Sequence, residues 1–185
     1  VGAEKLKDRG ARGLPRFGHP LLARGNSAPG LFALAATRYM HTFGMGRETM
    51  AKVAVKNHRN GAKNERAHLR AEITEEQVLK APMIASPFGL FDCCPTTDGA
   101  AAAIVCRADL AKQFKKPGIL VKGAGLAVET GRPFFDPTFD YLGFRSTQKA
   151  AQTAYTMAGI QAADVDFAEV HDCFTWTEIA NIEDL

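Results

Sequence analysis

The sequence predicts an α/β fold, and three observations carry that prediction. An apolar run, Ile119-Leu120-Val121-Lys122-Gly123-Ala124-Gly125-Leu126-Ala127-Val128, follows Pro117-Gly118. A short apolar run behind turn residues suits a strand covered on both faces. Ser146 to Ala158 places Ala150, Ala151, Ala154, Tyr155 and Ala158 at helical spacing and stops at Gly159, a usual helix C-cap. Val165 to Val170 repeats a strand pattern, and Trp176 to Leu185 a helical one. Strand, helix, strand and helix in that order make a βαβα unit with parallel strands.

The part of the chain before that unit reads as chiefly helical. Residues 1–30 mix glycine, proline and basic residues without periodicity, which indicates loop, with Gly2 to Leu6 as the end of an element. Pro29-Gly30 then opens a helix with Leu31, Leu34, Ala35 and Tyr39 on its inner face. A second helix is expected over Arg47 to Asn57, with Met50, Val53 and Ala54 facing inward. Residues 56–70 are polar, basic and turn-rich, so they read as a loop, either a solvated connector or a functional loop touching a phosphate, that carries Lys56 and His58. Thr74-Glu75-Glu76-Gln77 is a capping box that starts a short helix ending before Pro82. After Asp98-Gly99, the run Ala100 to Cys106 is expected to be a strand whose alanines let neighbours approach, and Ala108 to Phe114 a short helix. Phe134, Phe135, Phe139, Tyr141 and Phe144 lie in a loop with Pro133 and Pro137. Such a loop either lines an apolar tunnel or pins itself to the core.

Composition narrows the function classes. A chain of 185 residues, 46% apolar and 23% charged, can bury a core of its own as one domain, or as one and a part. A net charge of +3 is too small to indicate nucleic acid. The Lys and Arg residues gather in the first 70 positions, which suits either a phosphate-bearing ligand or a solvated surface. No run of 18 apolar residues is present to span a membrane, and no signal peptide opens the chain. Four cysteines without paired spacing indicate reduced thiols in a cytoplasmic compartment and no metal site. The chain opens on Val1 and stops at Leu185 inside a helical pattern, so a piece of something longer is expected.

The chemistry gathers at His171-Asp172-Cys173-Phe174-Thr175, where the last strand would open into the last helix. In open α/β sheets ligands bind in the crevice beyond the carboxyl ends of the strands. The His171 imidazole, which can donate or accept a hydrogen bond, suits the holding of a water or a carbonyl oxygen there. The plainer alternative is that it only caps the next helix or satisfies backbone groups. Cys173 is either a thiol activated by the neighbouring imidazole and helix terminus or a small buried hydrophobe. Gly123-Ala124-Gly125 follows a strand pattern but lacks the third glycine of a phosphate loop.

His171-Asp172-Cys173-Phe174-Thr175 with its preceding Asp164 to Val170 resembles the His-Asp-Cys-Phe block of the thiolase superfamily, in the branch of sterol carrier protein-x thiolases and thiolase-like lipid-transfer proteins. Asp92-Cys93-Cys94-Pro95-Thr96-Thr97-Asp98-Gly99 through Ile104 is similar to a second signature of that branch, and Lys56-Asn57-His58 matches it too. The resemblance implies a layered fold of two α/β halves with a helical loop domain that helps bind coenzyme A. Residues 1–84 would be that loop domain, 85–116 the end of the N-terminal half, and 117–185 the start of the C-terminal half. It implies Claisen condensation or thiolytic cleavage of a 3-oxoacyl-CoA, with acyl-CoA as substrate and no covalently bound cofactor. His171 would sit in the oxyanion hole, with Lys56 and His58 as coenzyme A neighbours. The family's nucleophilic cysteine would precede Val1 and its later blocks would follow Leu185, leaving this chain inactive alone. A homodimer or homotetramer is implied, with a small partner subunit as a further option. Two other activities fit the same resemblance: a retro-aldolase acting on steroid acyl-CoA side chains, and a non-catalytic acyl-CoA or lipid carrier.

Overall fold

The computed structural model describes residues 1–5, 27–129 and 138–185. The expectations for residues 6–26 and for Pro133, Phe134, Phe135 and Pro137 lie outside the described residues.

Helix α1 (Ala28–Phe43) starts where Ser27 accepts a hydrogen bond from the Gly30 N–H at 3.2 Å, with Pro29 in the first turn. Gly44, at φ 66°, closes it in the left-handed conformation that glycine adopts without strain. Its inner face differs from the expected one. Ala33, Ala36 and Tyr39 are buried, while Leu34 is 70% exposed. The rings of Phe174 and Trp176 belong to the same core as α1, and small residues let a helix come close to such bulky neighbours.

Helix α2 (Arg47–Ala62) runs past the expected end at Asn57. Lys56, Asn57 and His58 therefore lie on a helix, not in a loop. Polarity alone does not end a helix, because Lys, Arg and Asn are tolerated on a solvated helical face. Helix α3 (Glu75–Lys80) has the expected capping box: Gln77 N–H donates to Thr74 Oγ1 at 3.2 Å, and Thr74 N–H donates to Gln77 Oε1 at 2.8 Å.

Strand β1 (Gly2–Lys5) pairs antiparallel with β4 (Asp98–Ala101), Gly2 opposite Ala101 and Lys5 opposite Asp98. Between them in sequence, β2 (Met83–Ala85) pairs antiparallel with β3 (Phe88–Gly89). The strand expected over Ala100 to Cys106 thus ends at Ala101, opposite the first residue of the short β1. Ala108–Gln113 forms a 3-10 turn in place of the expected helix.

Helix α4 (Arg145–Ala158) ends at Gly159, at φ 68°, and α5 (Thr175–Asp184) follows the His-Asp-Cys-Phe block. The expected strands Ile119 to Val128 and Val165 to Val170 carry no ladder, and both sheets among the described residues are antiparallel pairs. The parallel βαβα unit is therefore not formed there. A strand needs hydrogen-bonding neighbours as well as an apolar pattern, and no described residue pairs with these runs. Residues 119–128 still pack on α4. A Cβ added to Gly123 would lie 2.2 Å from the Ala154 carbonyl oxygen, and one on Gly125 would lie 1.9 Å from that of Ala150. The two glycines serve close backbone approach to the alanine stripe of α4.

The principal core joins α1, α2, β3 and α5 through Ala36, Tyr39, Met50, Phe88, Phe174 and Trp176. Phe88 and Phe174 stack with centroids 5.0 Å apart, and Phe144 lies 5.6 Å from Trp176. Burying each large side chain contributes roughly 1.5–3 kcal/mol. A smaller cluster of Ala51, Ala54 and Val78 packs α2 on α3.

Candidate functional site

The Asp92 and His171 blocks of the sequence meet in space. Cys93 bridges Phe174 in antiparallel fashion, and the Cys94 N–H donates to the Cys173 carbonyl at 3.0 Å. One residue to either side, Thr175 Oγ1 donates to the buried Asp92 Oδ1 at 2.9 Å. Asp92 Oδ2 accepts the Gly89 N–H at 2.8 Å and lies 3.5 Å from Arg47 Nη2. A buried carboxylate with a cation and two hydrogen-bond donors around it is well satisfied. Asp92 thereby ties the starts of α2 and α5 to β3.

This stitching delivers His171 to the surface just before α5. Its carbonyl accepts from Asn181 Nδ2 at 3.0 Å, its side chain is exposed, and no described residue hydrogen-bonds its ring. The next residue, Asp172, accepts from Asn57 Nδ2 at 3.0 Å. Asn57 Nδ2 also donates to Glu178 Oε2 at 2.8 Å, and Lys56 Nζ pairs with Glu178 Oε1. Glu178 is only 4% exposed, so Lys56 and Asn57 together offset the cost of burying its charge.

Lys56 is thus brought beside the His171 block through Glu178. His58 is not: its Nδ1 lies 3.0 Å from the Ala71 carbonyl, and its ring meets Phe91 edge-on at 5.7 Å. Asp92 and Asn57 stand in the blocks quoted from the sequence but were given no role there, and Glu178 and Asn181 were not singled out. One signal existed, a lone acid in the apolar opening of α5, since buried carboxylates need partners.

Three thiols surround the block. Burial pushes the Cys93 thiol up to about 11, with the Asp92 charge and the neighbouring Cys94 and Cys173 adding to it. Burial also raises Cys94, helped by Asp172, and raises Cys173 against a lowering hydrogen bond from Thr177. At neutral pH these thiols hold their protons, and a protonated thiol is a poor nucleophile. Among the described residues no group of three His, Cys, Asp or Glu side chains could hold a metal ion, and no helix is long and apolar enough to cross a membrane.

Comparison with known proteins shows the family of the chain. Residues 26–109 match the family described as thiolase, N-terminal domain, and residues 136–185 match thiolase C-terminal domain-like. An acetyl-CoA acetyltransferase from Methanothermobacter thermautotrophicus is 39% identical over 162 residues, covering 88% of this chain and 42% of the relative. A sterol carrier protein 2 from Gallus gallus is 32% identical over 170 residues, covering 89% of this chain and 30% of the relative. The chain therefore spans less than half the length of either. The solved structure of an Ltp2-ChsH2(DUF35) aldolase superposes with a TM-score of 0.76 at 22% identity, over 94% of this chain and 48% of that one. That likeness establishes a thiolase-like α/β fold, to which the mixed helices and strands conform. With matches to both domains of one family, in their proper order and each around a block that helps build the site, the chain belongs to the thiolase superfamily.

Proposed function

We propose that this chain supplies the His171 side of a thiolase-type active site, in a protein that condenses acyl-CoA thioesters or cleaves 3-oxoacyl-CoA with coenzyme A. The observation that carries the reading is an imidazole left open to solvent on a segment held at two points, by Asn181 at the His171 carbonyl and by Asn57 at the Asp172 carboxylate. Negative charge develops on the thioester oxygen as the α-carbon becomes an enolate. A pre-positioned imidazole N–H, or a water held by it, stabilises that charge without having to reorganise.

The raised thiol pKa of Cys93, Cys94 and Cys173 supports a division of labour in which these thiols stay protonated and His171 acts. The cationic side chains of Arg59, Lys63, Arg66 and Arg70 stand exposed at the end of α2 and just beyond it. They support placing the coenzyme A phosphates near this end of α2, with Lys56 and His58 as its neighbours. Homo-oligomeric assembly and a cytoplasmic location belong to the same proposal.

In the full-length protein His171→Ala lowers turnover of acetoacetyl-CoA by about 10²-fold, as loss of an oxyanion donor does. The Michaelis constant for coenzyme A changes little. Turnover close to wild type would remove His171 from the mechanism.

A further inference from the structure

Asn57 does something that neither its residue type nor its place on a basic helix announces. A single side-chain nitrogen, Nδ2, faces two carboxylates, Asp172 Oδ2 at 3.0 Å and Glu178 Oε2 at 2.8 Å. An amide nitrogen carries two protons, one for each acceptor. Asn is suited to this place because it is neutral and donates twice; an aspartate there would put a third negative charge against the other two.

The two carboxylates differ in kind. Glu178 is a buried anchor inside α5, held on its other oxygen by Lys56 Nζ. Asp172 is exposed and directly follows His171. Asn57 therefore links a fixed point in the core to the residue beside the open imidazole. On the opposite side, Asn181 Nδ2 holds the His171 carbonyl, and Asn181 is itself bonded to Thr147 Oγ1 at 3.3 Å. The His171–Asp172 segment is thus held at two points, the His171 carbonyl and the Asp172 carboxylate. The ring is left free while its attachment is not.

We propose that Asn57 is a positioning residue for His171, acting through Asp172 with the Lys56–Glu178 pair as its anchor. This rests on the thiolase-type reading of the site given above. Charge-assisted hydrogen bonds are stronger than neutral ones, so two of them through one amide restrain the loop more firmly than the packing of an exposed residue would.

A double-mutant cycle in the full-length protein tests this, with thiolysis of acetoacetyl-CoA by coenzyme A as the assay. Asn57→Ala is expected to lower kcat by about 10- to 100-fold, the scale of a misplaced catalytic group, with KM within about twofold. Asp172→Ala cuts the same link from the exposed side without touching Glu178, and is expected to do the same even if Asn57→Ala proves poorly folded. In a His171→Ala background both losses should vanish, because residues that act as a unit are non-additive. A purely structural role would lower activity by the same factor with or without the imidazole. Equal losses in both backgrounds, or kcat within twofold of wild type in Asn57→Ala and Asp172→Ala, would overturn the inference while leaving His171 in place. No thiolysis by the wild type, or normal thiolysis by His171→Ala, would instead remove the functional reading, and the inference with it.

Discussion

Two individual side chains, Cys93 and Tyr39, make the fold's stability depend on alkaline pH. Burial pushes Cys93 from its ordinary 9.0 up to about 11, and burial together with the Glu183 carboxylate pushes the Tyr39 hydroxyl from 10.0 to about 12. Tyr39 donates to Glu183 Oε1 at 2.6 Å, so ionising it would set two negative charges against each other. Both groups bind their protons more tightly when folded. Their contribution is fully present below the unfolded values and is lost as pH rises through 9 to 11 for Cys93 and 10 to 12 for Tyr39. Urea midpoints should therefore hold level up to about pH 9 and fall beyond it. Tyr39→Phe should flatten the upper part of that fall. A midpoint unchanged between pH 8 and pH 11 would mean that neither group is held as the geometry shows.

Among the elements, the packing of residues 119–128 on α4 is the one whose chemistry is most exposed to a single atom. Gly125→Ala puts a methyl 1.9 Å from the Ala150 carbonyl oxygen, a backbone atom that cannot swing away, whereas nothing lies within 4 Å of a Cβ on Gly99. Overpacking of this kind costs about 1–3 kcal/mol, so Gly125→Ala should lower the thermal midpoint clearly and Gly99→Ala hardly at all. Similar melts for both would show that the segment stands off the helix. The same elements show what could be read from sequence. Thr74 with Gln77, and Gly159 after Ala158, mark helix ends correctly because a cap is written within four residues. The glycines at 123 and 125 were visible as well, but their purpose depends on a helix some 25 positions later. The strand patterns at 119–128 and 165–170 state that an apolar extended run exists, and say nothing about which backbone lies opposite. At the candidate site, His171 stands out by its own neighbours in sequence, whereas the bonds of Asn57 and Glu178 are to partners 115 to 122 positions away.

For the whole molecule, the unladdered runs leave large side chains in water. Ile104 is 82% exposed, Ile119 96%, Leu126 92% and Phe167 83%, in extended segments whose backbone groups pair with no described strand. A groove of about 610 Å³ lies between two of these runs, lined by Val105, Phe114, Ile119 and Leu120. Contiguous apolar surface with open edges promotes association. Produced alone, the 185-residue chain should therefore sediment as multimers and brighten a hydrophobic dye, and a monodisperse, dye-silent monomer would contradict the exposure described. The seam between the Asp92 and His171 blocks carries a different consequence, one of timing. Its Asp92–Thr175 bond and the neighbouring Asn57–Asp172 bond join residues 83 and 115 positions apart, so this edge of the molecule has a high contact order. Closing so long a loop precedes any reward from the contacts it brings together. The helices can form as the chain emerges, but the seam beside His171 is a late event in folding. A ribosome that has not yet delivered α5 has made no part of it.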